Sequence, residues 1–149
     1  MEFRRMQSGD REAMQSFFDD MGGPGAGFFN RGHCNEINTM SEFDHPRENY
    51  EYYVMVEGGR IIGLFFLWAM NSSVPWMGVA VREEWQGRHI GTTMIQTALA
   101  DLERRGYGGL LLTTATSNFK GQALYEKCGF VRMGVHTSGE YLYLHTFSK

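Results

Sequence analysis

A short apolar run, Leu110-Leu111-Leu112-Thr113-Thr114, stands between two segments of helical period, and that placement limits the folds open to this chain. Continuous apolar strands belong at the centre of a sheet covered on both faces. The segment before it, Thr92 to Arg105, repeats Ile95, Ala98, Leu99 and Leu102 at helical spacing and ends at Gly106, a C-terminal cap position. The segment after it, Asn118 to Cys128, reads as a second short helix stopped by Gly129. A strand framed by two helices requires a strand-helix-strand crossover, and therefore a mixed α/β sheet.

The flanking sequence supplies the other strands. Tyr52-Tyr53-Val54-Met55-Val56 and the run Arg60 to Trp68 are joined by Glu57-Gly58-Gly59, a hairpin signal. Trp76-Met77-Gly78-Val79-Ala80-Val81 makes a third strand, and Phe130 to Met133 and Glu140 to Phe147 make two more around a turn at Ser138-Gly139. Near the start, Ser8-Gly9-Asp10 caps a helix whose stripe is Ala13, Met14, Phe17, Phe18 and Met21, ended by Gly22-Gly23-Pro24-Gly25. A further helix is expected between about Asn35 and Phe43, in a stretch without a clear period that is a natural place for substrate contacts. The expected order is helix, helix, three strands, helix, strand, helix, two strands, in one domain spanning residues 1–149.

Composition narrows the partners. With 42% hydrophobic and 21% charged residues the chain is an ordinary globular one, and its net charge of -3 gives no footprint for nucleic acid or anionic lipid. The longest apolar run, Ile61 to Met70, is interrupted by Gly63 and is too short to cross a bilayer, and no signal-peptide core follows the first arginines. A cytoplasmic protein, monomeric or homodimeric, with a mild preference for cationic partners is expected. His33, Cys34, His45 and His89 show no metal-ligand spacing, so no metal site is expected.

The chemistry lies in two motifs. Val79-Ala80-Val81 runs through Arg82-Glu83-Glu84-Trp85 into Gln86-Gly87-Arg88-His89-Ile90-Gly91-Thr92, a strand, a glycine-bearing loop and a helix start. A helix N-terminus offers unpaired N–H groups and partial positive charge, so a pyrophosphate can be held there, with Arg88 adding charge. The second is Asn118-Phe119-Lys120-Gly121-Gln122-Ala123-Leu124-Tyr125, followed by Gly129-Phe130, where a spacing of almost two turns puts Asn118 and Tyr125 on one helix face.

Gln86 to Gly91 resembles the Gln/Arg-x-x-Gly-x-Gly/Ala pyrophosphate motif of the GCN5-related N-acetyltransferases (GNAT). Asn118 to Phe130 resembles that family's Asn-x-x-Ala-x-x-Leu-Tyr-x-x-x-Gly-Phe signature. The resemblance implies the acyl-CoA N-acyltransferase (GNAT) fold, a central and mostly antiparallel sheet with one splayed parallel strand pair, flanked by helices. It implies acetyl-CoA as cosubstrate and transfer to an amine in a ternary complex but says little about the acceptor, for which the chain's acidity and the acids between Glu36 and Glu51 fit a cationic small molecule or peptide. It further implies that Gly87, Arg88, His89, Ile90, Gly91 and Thr92 hold the pyrophosphate, that Val79, Ala80 and Val81 pair with the pantetheine arm, and that Gln86 and Asn118 belong to the cofactor site. Tyr125 is the expected general acid for the leaving thiolate, since a phenol of ordinary pKa near 10 is well matched to it. Two departures stand out: His89 replaces the family's usual glycine, and Gly121 replaces its alanine. Histidine tolerates unusual backbone angles better than β-branched residues do, so the loop is expected to keep its shape.

Val74 to Val81 carries no acid, so the base is sought elsewhere, at Glu36 or Glu83 acting through water, with Glu42, Asp44 and His45 nearby in sequence. Phe28-Phe29-Asn30-Arg31 could border the acceptor, and Trp76, Tyr141 and Tyr143 could form an aromatic wall able to face a cation. Cys34 as a nucleophile is set aside, because no His or Asn partner can be assigned to it. Two other readings stay open: a noncatalytic acyl-CoA sensor, motivated by His89 and the missing strand carboxylate, and an interaction protein that has lost the cofactor.

Overall fold

The computed structural model describes residues 1–21 and 36–147. Phe28 to Arg31, His33, Cys34 and the glycine-rich end of the first helix lie outside the described residues. One sheet of seven strands organises the rest. These are β1 (Glu2–Arg5), β2 (Glu51–Glu57), β3 (Arg60–Trp68), β4 (Trp76–Val81), β5 (Gly109–Thr114), β6 (Val131–Val135) and β7 (Tyr141–Thr146), in the spatial order β1-β2-β3-β4-β5-β7-β6. Its helices are α1 (Arg11–Asp19), α2 (Glu36–Ser41), α3 (Ile90–Arg104) and α4 (Phe119–Lys127), with 3-10 turns at Ser8–Asp10 and Glu83–Trp85.

The strand at Glu2–Arg5 departs from the sequence expectation. It has one apolar residue among charged ones and no readable alternation, and it exists because β2 offers a free edge, with Phe3 opposite Met55. The β2–β3 hairpin turns at Gly58 and Gly59, both at positive φ, as its glycines suggested.

The apolar residues form two cores, one on each face of the sheet. On the first, Ile62, Phe65, Leu67 and Met77 meet Met94, Ile95, Ala98, Leu99 and Leu102 of α3 and Tyr125 of α4. On the second, Val54, Leu64, Phe66 and Ala80 meet Met14, Phe17 and Phe18 of α1, with Met40 and Phe43 packed alongside. Alternation along β3 from Leu64 to Trp68 explains the division there, and the register shift opposite Met55 and Val56 changes the phase so that Ile62 joins the first core and Ile61 the second.

Arg82, at the end of β4, is only 3% exposed. Its Nε donates to the Ile61 carbonyl at 2.7 Å, one terminal nitrogen donates to Asp20 at 2.5 Å, and the guanidinium lies 5.5 Å from the Phe17 ring centre. A buried guanidinium is tolerable only with such partners, and these fasten the end of α1 to the end of β4.

All adjacent strands pair antiparallel except β4 and β5, which are parallel and meet at the single pair Trp76↔Leu111. Beyond that bridge they part, so the expected splayed pair is present. Gly109, at the start of β5, keeps the other side of that strand tight, since a Cβ there would come within 2.4 Å of the His145 carbonyl oxygen. Among the described residues no helix is long and apolar enough to cross a membrane.

Candidate acetyl-CoA site

Where β4 and β5 separate, a cavity of about 1290 Å³ opens between them. One wall is β4, from Trp76 through Val79, Ala80 and Val81; the opposite wall is the end of β5, from Leu112 to Ala115. The loop after β4 and the first turn of α3 close one end, with Glu83, Gln86, Gly87, His89, Ile90, Gly91 and Thr92 on the cavity, and α4 contributes Asn118, Leu124 and Tyr125.

The loop has the shape of an anion nest. Gly87 sits at φ 79, and His89, the residue preceding α3, sits at φ 63 and ψ 18, the left-handed conformation that glycine takes most easily. The first bond of the helix is from the Thr93 N–H to the His89 carbonyl at 3.0 Å. Among the described residues, no acceptor is found for the N–H groups from Gly87 to Thr92. Several amides free at a helix start that opens on a cavity suit a pyrophosphate. Gln86 braces the loop by donating from its side chain to the Val81 carbonyl at 3.1 Å. Gly91 is also a packing position, where a Cβ would lie 3.1 Å from Leu124.

Arg88 does not line the cavity; its guanidinium lies over the Trp85 ring, 4.7 Å from the centre. The positive charge comes instead from Lys120 and Lys127 of α4, both on the cavity, with the Lys127 Nζ 3.4 Å from His89 Nδ1. Their signal was present as two lysines seven residues apart on the helix that carries Tyr125.

Asn118 is the N-cap of α4 rather than a residue of its body. Its Oδ1 accepts the Gly121 N–H at 3.1 Å and its Nδ2 donates to Thr114 Oγ1 at 3.0 Å. A Cβ on residue 121 would come within 2.4 Å of that Nδ2, so glycine in place of the family's alanine lets the amide fold back over the helix start. We expect Asn118→Ala to lower stability by about 1 kcal/mol without any ligand, and Asn118→Asp, which keeps the acceptor, to retain it. Urea unfolding of the two variants reads the difference.

Tyr125 lines the cavity with its ring largely buried, 6.2 Å from Phe130 and 6.1 Å from Tyr143. Tyr143 itself is wholly buried in the first core, donates to Glu126 Oε2 at 2.7 Å, and has its hydroxyl pushed up to about 12 by desolvation and by that carboxylate. Tyr141 does not border the cavity and faces Arg132, whose guanidinium is 4.3 Å from its ring centre. Of the expected aromatic wall, only Trp76 reaches the cavity. The topology is the reason: β7 lies behind β5, so its inward residues fill the core. Cys128 is buried, and desolvation raises its thiol pKa, which makes it a poor nucleophile.

The two candidate bases are separated. Glu83 borders the cavity, whereas Glu36 does not and accepts the Gln15 amide at 2.9 Å. Missed from sequence were Trp68, His136, Ser138 and Glu140, which also border the cavity. The last three lie on the turn between β6 and β7, and only the strand order, with β7 next to β5, brings that turn to the cavity; no local pattern encodes that order.

The family model described as Acetyltransferase (GNAT) family matches residues 13–130. The chain belongs to the GNAT acetyltransferase family. The family's cosubstrate is acetyl-CoA, and the free amides between Gly87 and Thr92 beside Lys127 fit its phosphates. Among curated relatives, the putative [ribosomal protein bS18]-alanine N-acetyltransferase of Bacillus subtilis (strain 168) is 27% identical over 100 residues, 65% of this chain and 66% of that protein. The [ribosomal protein bS18]-alanine N-acetyltransferase of Escherichia coli (strain K12) is 25% identical over 100 residues, 67% of this chain and 68% of that one. Among solved structures, the PaiA N-acetyltransferase of Thermoplasma acidophilum in complex with coenzyme A superposes with a TM-score of 0.80 at 15% identity, covering 98% of each chain. The GNAT domain of S. lividans PAT gives 0.83 at 14% identity, covering 97% of this chain and 89% of that one. These likenesses place the GNAT fold over nearly the whole chain.

Proposed function

We propose that this GNAT protein transfers the acetyl group of acetyl-CoA to a primary amine of a small molecule or peptide in a ternary complex. The observation that carries the reading is the continuity of the cavity. It joins the free amides at the start of α3, on one face of the sheet, to Trp68 and Trp76, on the other, through the gap between β4 and β5. A cosubstrate and an acceptor entering from opposite faces meet in that gap. The amine acceptors of the bS18-alanine N-acetyltransferases support an amine, with a peptide N-terminus as one form of it.

The thioester supplies the activated acetyl group. The amides from Gly87 to Thr92, with Gln86 and Lys127 behind them, hold the phosphates, and Val79 to Val81 present the open edge of β4 to the arm. A neutral amine attacks the carbonyl carbon, the carbon–sulfur bond breaks, and the Tyr125 hydroxyl gives its proton to the departing sulfur. The amine's surplus proton passes through water to Glu83, which of the two carboxylates considered is the one on the cavity. A noncatalytic acyl-CoA sensor is the second reading, favoured by the lack of any acid on β4.

Thiol release from acetyl-CoA on addition of primary amines tests the proposal; release that is independent of amine would favour the sensor. Glu83→Gln is expected to lower kcat/KM by about 10 to 100-fold near neutral pH, with the loss shrinking at high pH as the free amine deprotonates without help. An unchanged pH profile would remove Glu83 from the mechanism.

A further inference from the structure

Both lysines on the cavity belong to α4. Lys127 lies beside His89 where α3 and α4 meet, with Lys120 at the start of α4 and Glu83 on the loop before α3, whereas the turn between β6 and β7 adds a further carboxylate, Glu140. Among the described residues no hydrogen bond or ion pair engages that carboxylate. On the same cavity, Trp68 and Trp76 stack across β3 and β4 with ring centres 6.1 Å apart and planes 13° apart. The His136 ring meets Trp76 edge-on at 5.9 Å.

The turn fixes His136. The Ser138 N–H donates to His136 Nδ1 at 3.1 Å, and the His136 N–H donates to the Glu140 carbonyl at 2.7 Å. With Nδ1 accepting, the proton of the neutral ring resides on Nε2, so the imidazole offers a donor rather than a base on that side. Trp68, itself stacked on Phe66 at 5.8 Å, and Trp76 give the corner an aromatic lining, and with a carboxylate that has no partner among the described residues such a corner favours a cation. The nitrogen that attacks must be neutral, so a corner that favours positive charge would oppose the reaction if it held that nitrogen. Its charge preference therefore serves a different group on the acceptor.

We propose that the corner formed by Trp68, Trp76, His136 and Glu140 is an acceptor subsite that selects amines carrying a second positive charge a short distance from the reacting nitrogen. The proposal rests on the acetyltransferase reading for its chemistry, but the binding preference can be measured without turnover.

The test uses protein saturated with coenzyme A, titrated with diaminobutane, butylamine or aminobutanol and followed by tryptophan fluorescence, in parallel with thiol release from acetyl-CoA. Diaminobutane is expected to bind at least about 10-fold more tightly than either singly charged amine. Glu140→Gln and Trp76→Leu are expected to bring that ratio to within about threefold, the first of them being close to isosteric and so a safeguard if the second fails to fold. Equal affinity for the three amines, or a preference that survives in Glu140→Gln, overturns the subsite. Thiol release that is as fast with butylamine as with diaminobutane also overturns it and leaves the acetyltransferase reading standing. Selective binding that is lost in Glu140→Gln, with no thiol release from any amine, supports the subsite and removes the acetyltransferase reading.

Discussion

Replacing Tyr125 by Phe is expected to lower kcat by about 100-fold or more, the usual range for loss of a positioned general acid, with coenzyme A affinity little changed. The substitution keeps the ring and so keeps its contacts with Phe130 and Tyr143, the packing that holds α4 against β7. What it removes is the hydroxyl of a residue that lines the cavity. The leaving sulfur then departs as an anion or takes a proton from water. Steady-state kinetics alongside a coenzyme A titration separates the two quantities. A kcat within threefold of the parent would mean that the ring is there for packing and that the acid lies elsewhere.

Gly87→Glu should abolish the stabilisation that coenzyme A gives the folded protein. At about 100 times its Kd a ligand adds about 2.7 kcal/mol to stability, readable as a rise in Tm. Two effects combine at this position. A side chain at φ 79 carries backbone strain of about 1 kcal/mol or more, and the carboxylate presents negative charge to the amides that would receive a phosphate. The space around residue 87 is open, so no steric clash confuses the result. Gly87→Asn separates the effects, because asparagine tolerates the left-handed region and brings no charge. Retained stabilisation in Gly87→Asn with loss in Gly87→Glu places the phosphates at this loop; retention in both would remove them from it.

The parts of the fold that were legible in the sequence are those in which one local rule acts alone. The hairpin at Gly58-Gly59, the strand Trp76–Val81 and the helix ended by Gly106 each carry their own signal of turn chemistry or period, and their observed boundaries agree closely with it. The shape of the loop between Gly87 and Thr92 was legible for the same reason, as a strand, two glycines and a helix start in sequence. Glu2–Arg5 was not, since its strand conformation is imposed by the free edge of β2. The corner proposed for the acceptor was not either, because the turn carrying Glu140 reaches the cavity that the local pair Trp68 and Trp76 borders only through sheet order, which depends on packing between distant segments. Tyr143 shows the converse error: its aromatic character suited a binding wall, and its place behind β5 made it core.

The single bridge between β4 and β5 has a consequence for aggregation. Unpaired strand edges normally sit at the rim of a sheet, where they can recruit another chain and must be blunted by charge or short length. Here two such edges face one another in the middle of the molecule, lined by side chains from α3 and α4. The protein thus keeps the hydrogen-bonding capacity of a missing strand inside its sheet rather than at its rim.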